Sequence, residues 1–153
     1  MKLIDPIPVG LYIHLPWCTH KCPYCDFNSH ETSGEAPFES YIDALLRDLE
    51  TETDQLCNRS VDTIFIGGGT PSLFPAVAVQ RLLDGVRARV ECVDEIEISL
   101  EANPGSADSE RFAGFNSAGV TRLSIGVQSF RDHQLKRLGR THNGAAARAA
   151  LDA

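Results

Sequence analysis

Four short runs, GLYIHL (Gly10 to Leu15), SVDTIFI (Ser60 to Ile66), EIEISLE (Glu95 to Glu101) and VTRLSIGVQSF (Val120 to Phe130), alternate with longer stretches of helical periodicity. No other feature constrains the fold as strongly. Strands that each lead into a helix predict right-handed βα units on a parallel sheet, an α/β class. The first helical stretch runs from Phe38 to Cys57, with Tyr41, Ile42, Leu45, Leu46, Leu49 and Leu56 near one stripe. Others run from Val77 to Val90 and from Asp108 to Ala118, the latter stopped by Gly119. A short helix near Asp132 to Leu138 and an Ala-rich one from Asn143 complete the pattern.

Period-2 alternation within the runs carries a second constraint. Leu11, Ile13 and Leu15 share one face of the first strand and Tyr12 and His14 the other. Ile96, Ile98 and Leu100 oppose Glu95, Glu97, Ser99 and Glu101 in the third, and Leu123, Ile125 and Val127 oppose Ser124, Gly126 and Gln128 in the fourth. One face suits a cover of helices. The other is polar or small, unlike the branched aliphatic filling of a closed eight-stranded barrel, and suits a lumen wide enough for a polar ligand. An antiparallel sheet wet on one side would share the pattern, although the intervening helices argue against it. At about 30 residues per βα unit, the 153 residues hold about four units, and AAARAALDA at the end carries no stop signal. The expectation is a truncated chain whose fourth strand would be an unpaired edge.

The net charge of −7, from 14 basic and 21 acidic residues, argues against a nucleic-acid scaffold, which needs a basic face. With 42% hydrophobic and 23% charged residues the chain reads as globular. The opening MKLIDPIPVGLYIHLP carries Asp5 and three prolines, so it reads as neither signal peptide nor membrane span. The expected compartment is therefore a reducing cytoplasm, where clustered cysteines mean metal or redox chemistry.

Three of the five cysteines, Cys18, Cys22 and Cys25, fall in WCTHKCPYCDF directly after the first strand. Four thiolates saturate a [4Fe–4S] cluster; three leave one iron open to another ligand. The alternative is a structural zinc site completed by His14, His20 or His30, although no second cysteine pair is present. Cys57 and Cys92 stand apart and read as packing residues. GGGTPS (Gly67 to Ser72) ends the second strand, where parallel α/β folds bind ligands, and its glycines would admit a close approach and expose N–H groups. Without a lysine it is not a P-loop, and it does not match the dinucleotide fingerprint. Glu101 and Gln128 sit at the ends of the third and fourth strands, so polar groups gather at one sheet edge, as in parallel-barrel active sites.

The C-x3-C-x2-C loop with an aromatic before its last cysteine resembles the radical S-adenosylmethionine superfamily. YIHLPWCTHKCPYCDFNSH, GGGTPS, EANPG and LSIGVQSF, in that order, are similar to the oxygen-independent coproporphyrinogen III oxidase family. That resemblance implies the N-terminal part of a partial (β/α)6 barrel over residues 1–153, with later strands and a C-terminal domain absent. It implies Cys18, Cys22 and Cys25 as ligands of a [4Fe–4S] cluster whose free iron is chelated by S-adenosylmethionine. It implies cofactor contacts from Tyr12, Gly68, Gly69, Thr70, Glu101, Gln128 and Arg140, the last suited to a bidentate grip on a carboxylate. His14 matches a motif position without an assigned role. The implied chemistry is reductive cleavage of the sulfonium to methionine and a 5′-deoxyadenosyl radical, with an electron donor such as a flavodoxin or ferredoxin. In the oxidase the radical leads to loss of carbon dioxide from two propionates. The oxidase carries a further cysteine two positions after its third ligand; here Phe27 stands there. That departure resembles the HemW-type haem chaperone subgroup, which implies haem as a ligand and a haem-acceptor protein as partner, with any haem-ligating motif beyond Ala153.

Overall fold

The computed structural model describes residues 7–33, 36–106 and 109–153. The chain order is β1 (Gly10–Leu15), β2 (Trp17–Cys18), β3 (His30–Glu31), α1 (Phe38–Glu52), β4 (Val61–Gly68), α2 (Ala76–Arg87), β5 (Cys92–Ala102), α3 (Ser109–Ser117), β6 (Arg122–Ile125), α4 (Asp132–Arg137) and α5 (Gly144–Asp152). Four strands form one sheet in the order β1-β4-β5-β6, every pair parallel. The antiparallel alternative is thereby excluded. All four C-terminal ends meet at one edge.

The apolar face of the sheet is the core. Ile13, Leu15, Ile64, Ile66, Ile98 and Leu100 are buried there beneath α1, α2 and α3, which contribute Ile42, Leu46, Leu82, Leu83, Val86 and Phe115. The opposite face carries the polar residues that alternation assigned to a lumen. The register runs Tyr12 opposite Phe65, Phe65 opposite Ser99, and Ser99 opposite Arg122, with Glu101 opposite Ser124 one layer above. Arg122 donates to Ser99 Oγ at 3.0 Å and lies 3.4 Å from Glu97. Among the described residues, no helix is long and apolar enough to cross a membrane.

Several sequence expectations need correction. The helix from Phe38 stops at Glu52 and continues as a 3-10 turn, Thr53–Leu56, that ends at Cys57 with φ 52°. Cys57 is exposed, so it is not a packing residue; Cys92, at the start of β5, is partly buried against the core. The expected start of α3 at Asp108 lies outside the described residues, as do Met1 to Pro6 of the opening segment. The fourth strand is shorter than its alternation suggested. It ends at Ile125, and the chain then folds through tight turns, with Val127 N bonded to Ile125 O and Ser129 N to Val127 O. Gln128 sits at the centre of the second turn with φ 58°, a left-handed conformation a non-glycine residue adopts at a cost of roughly 1–3 kcal/mol. A run of alternating residues cannot reveal that turn, because the side-chain pattern persists where the ladder stops.

The sequence also gave no sign of β2 and β3. They pair in parallel, Trp17 with His30 and Cys18 with Glu31, and so close the base of the cysteine loop. Aromatic packing holds that base to the core. Trp17 meets Tyr41 edge-on at 4.7 Å and lies 5.7 Å from buried Phe74, which is 4.4 Å from Phe38. Phe74→Ala is expected to cost about 3–5 kcal/mol in denaturant unfolding, because it removes the ring under both α1 and Trp17.

Candidate functional site

The cysteine loop is built from its stem upward. Pro16 O accepts from His30 N and Cys18 O from Thr32 N, each at 2.8 Å, and Cys25 N bonds back to Cys22 O at 2.9 Å. His14 braces the far side. Its Nε2 faces the carbonyl of Asn28 at 2.7 Å, which can only accept, so Nε2 carries the proton. With the proton on Nε2, Nδ1 is free to accept from the Tyr12 hydroxyl at 2.9 Å. His14 thus has a structural part, tying β1 to the end of the loop.

The GGGT turn fits against this stem. Gly69 N donates to Leu15 O and Thr70 N to Trp17 O, both at 2.8 Å. Gly68 N donates to Glu101 Oε2 at 3.1 Å. The expectation that this turn exposes N–H groups therefore fails for these three, which are committed within the protein. The glycines serve close packing instead. A Cβ on Gly69 would lie 2.7 Å from Pro16 C and O and from Trp17 O. At Gly68, φ is +117° and the His14 ring fills the space a side chain would take.

Above the turn lies a cavity of about 340 Å³ at the C-terminal edge of the sheet. Cys18, Cys22, Cys25, Gly68, Gly69, Thr70, Glu101, Gln128 and Arg140 all line it. Tyr12 does not. It is 55% exposed on the lumen face below, its ring stacked on Phe65 at 6.2 Å. Partial burial and the negative charge of Glu101 push its phenol pKa up.

Arg140 is the hub. Nη2 donates to Asn103 Oδ1 at 2.5 Å and to Gly126 O at 2.8 Å. Nη1 approaches Cys22 Sγ at 3.4 Å and Tyr24 Oη at 3.5 Å. Both terminal nitrogens are engaged, so the free bidentate fork expected from the sequence is not presented. Nε remains. It is buried without a hydrogen-bond partner, the one such side-chain nitrogen or oxygen among the described residues. Asn103 and Tyr24 were not assigned site roles from the sequence; their signals were the EANPG motif, which holds Asn103, and the aromatic before the last cysteine, which is Tyr24.

The donor chemistry suits an iron–sulfur cluster. Three free thiols border one cavity, and two of them meet hydrogen-bond donors, Thr70 at Cys18 and Arg140 at Cys22. Each thiolate of such a cluster takes its own iron, so the sulfurs need not converge on one point. Among the described residues, no three His, Cys, Asp or Glu side chains converge as a single metal ion requires, and His14 is engaged with Tyr12 and Asn28. This arrangement lends the zinc alternative no support.

Two outcomes follow from the geometry. Gly69→Ala forces the turn away from Pro16 and Trp17 and is expected to lower both thermal stability and iron uptake on anaerobic reconstitution, whereas Gly105→Ala, whose Cβ would meet nothing nearer than 4.0 Å, leaves both near wild type. His142 is buried and its Nε2 donates to Val127 O at 3.1 Å. Burial, reinforced by the charge of Arg140, holds its pKa below the usual value against the opposing effect of that bond. The folded state therefore binds fewer protons than the unfolded one. Its stabilisation is complete above the unfolded histidine range, about pH 6.5, and is lost as pH falls through the lower folded pKa. Denaturant midpoints measured from about pH 7.5 down to 5 should fall, and His142→Gln should flatten that fall.

Residues 12–153 match the Radical SAM superfamily. The chain is 54% identical over 143 residues to the heme chaperone HemW of Escherichia coli (strain K12), an alignment covering 94% of this chain and 38% of that protein. It is 50% identical over 149 residues to heme chaperone HemW of Haemophilus influenzae, covering 95% and 39%. The chain thus spans under two-fifths of the length of these relatives. Among solved structures, coproporphyrinogen III oxidase (HemN) from E. coli, a radical SAM enzyme, superposes with a TM-score of 0.85 at 28% identity, covering 95% of this chain and 33% of that one. With a family match across nearly all of its length and the cysteine loop at the mouth of a parallel sheet, this chain belongs to the Radical SAM superfamily.

Proposed function

We propose that this chain is the cluster- and cofactor-binding part of a haem chaperone, which holds a [4Fe–4S] cluster and S-adenosylmethionine and passes haem to a haem-requiring protein. The observation that carries the reading is Phe27. It lines the cavity at the position where the oxidase family has a further cysteine, and is 58% exposed. A phenyl ring cannot supply a thiol there, but it adds apolar surface to a cavity that Tyr24 also lines, suited to a flat macrocycle. The likeness to two heme chaperones at 54% and 50% identity supports the same reading.

In this reading Cys18, Cys22 and Cys25 would hold the cluster, and one iron would stay open to S-adenosylmethionine. When bound and reduced, the cluster supplies one electron to the sulfonium. The chain's own residues bind and orient. Glu101 is held by Gly68 N and lines the cavity together with Gln128 and Arg140. Tyr12 lies below on the lumen face and does not line the cavity.

The second reading is coproporphyrinogen III oxidation, favoured by the 0.85 TM-score with the oxidase. Two assays on the anaerobically reconstituted holoprotein separate the readings. Electron paramagnetic resonance of the reduced cluster should change on addition of S-adenosylmethionine under either. Haem should then bind stoichiometrically and transfer to an apo-haemoprotein, with no methionine released from coproporphyrinogen mixtures. Methionine release in proportion to decarboxylated porphyrin would establish the oxidase instead.

A further inference from the structure

The contacts beneath the cysteine loop form one directed chain. Arg140 has donors and no acceptor, so its Nη2 fixes Asn103 with Oδ1 toward the guanidinium. Asn103 must then turn Nδ2, also a donor, to Thr70 Oγ1 at 3.0 Å. The hydroxyl accepts there, and its single proton is left for its other neighbour, Cys18 Sγ at 3.5 Å. Nη1 of the same guanidinium meets Cys22 Sγ. Thr70 and Cys18 are only 4% and 8% exposed, so water does not compete for these bonds. One cation therefore sets the direction of hydrogen bonding at two of the three cysteines.

We propose that Thr70 and Asn103 are positioning residues that tune the reduction potential of the cluster: the chain from Arg140 through Asn103 and Thr70 delivers a hydrogen bond to Cys18 sulfur while Arg140 supplies another to Cys22. The proposal rests on the cluster assignment above. Reduction places extra negative charge on the cluster and its thiolates, and donors aimed at sulfur stabilise that charge, so they raise the potential. Asn103 has a particular part because its two ends differ. It converts a guanidinium, which can donate only, into an oriented hydroxyl that donates to sulfur, across a gap the arginine spans for Cys22 but not for Cys18.

The test is a potentiometric titration of the reconstituted holoprotein, followed by electron paramagnetic resonance, with iron and sulfide content measured on every sample. Thr70→Val removes the hydroxyl and should shift the midpoint to more negative values at unchanged cluster content. Thr70→Ser restores the donor and should return the wild-type midpoint. Asn103→Asp keeps the partner of Arg140 but accepts the Thr70 proton, drawing it off Cys18, and should shift the midpoint in the same direction as Thr70→Val. An unmoved midpoint in Thr70→Val with full iron, or a Thr70→Ser shift as large as that of valine, overturns the proposal. If Thr70→Val does not retain iron, Asn103→Asp decides: an unmoved midpoint, or loss of iron there too, assigns the chain to holding the loop and refutes tuning. A wild-type protein that takes up no cluster refutes the cluster assignment itself, which is a distinct result.

Discussion

Two hydrogen bonds just beyond the last paired residues of β1 and β4, from Gly69 N to Leu15 O and from Thr70 N to Trp17 O, fix where the cysteine loop begins. Everything above them inherits its position from that junction. The bonds require the backbone of the GGGT turn to lie against Pro16 and Trp17, and only glycine leaves room at position 69. Once the turn is seated, Thr70 lies under Cys18, Gly68 N reaches Glu101 on the neighbouring strand, and the three cysteines rise around the resulting cavity. The junction itself is held down from below by Trp17, Phe74 and Phe38, so the site's geometry is an extension of core packing.

Much of this was legible in the sequence because it follows from period and edge. Alternation in GLYIHL predicted β1 with its bounds, and the apolar residues of EIEISLE, Ile96, Ile98 and Leu100, are all buried in β5. Parallel strands bring their C-terminal ends together, which is why Cys18, Thr70, Glu101 and Arg140, over a hundred positions apart at the extremes, border one cavity. What escaped notice depends on hydrogen-bond partners, which carry no periodic signal. The turn that lifts Gln128 out of β6 looks like continuing strand, the β2–β3 pairing is two residues long, and Asn103 reads as an ordinary turn former before proline. Arg140 shows the same limit in reverse. Its identity suggested a carboxylate clamp, yet its terminal nitrogens are spent on Asn103, Gly126, Cys22 and Tyr24. Whether an arginine is free cannot be read without its neighbours.

The two faces of the sheet divide the work of the molecule. On the helix side, buried Ile, Leu, Val and Phe supply the apolar burial that opposes chain entropy. On the lumen side, Glu97 and Arg122 form an exposed ion pair over buried Ser99, and such exposed pairs contribute little to stability, about 0–1 kcal/mol each. Charge on that side is therefore free to vary with chemistry while the fold is secured elsewhere. The separation breaks at one place, the GGGT–Pro16 junction, where site backbone and core backbone are in direct contact. Substitutions on the rim, as at exposed Phe27, should alter what the cavity holds with little loss of fold. Those at Gly69 must disturb both, since the atoms a side chain would displace are the same ones that launch the cysteine loop.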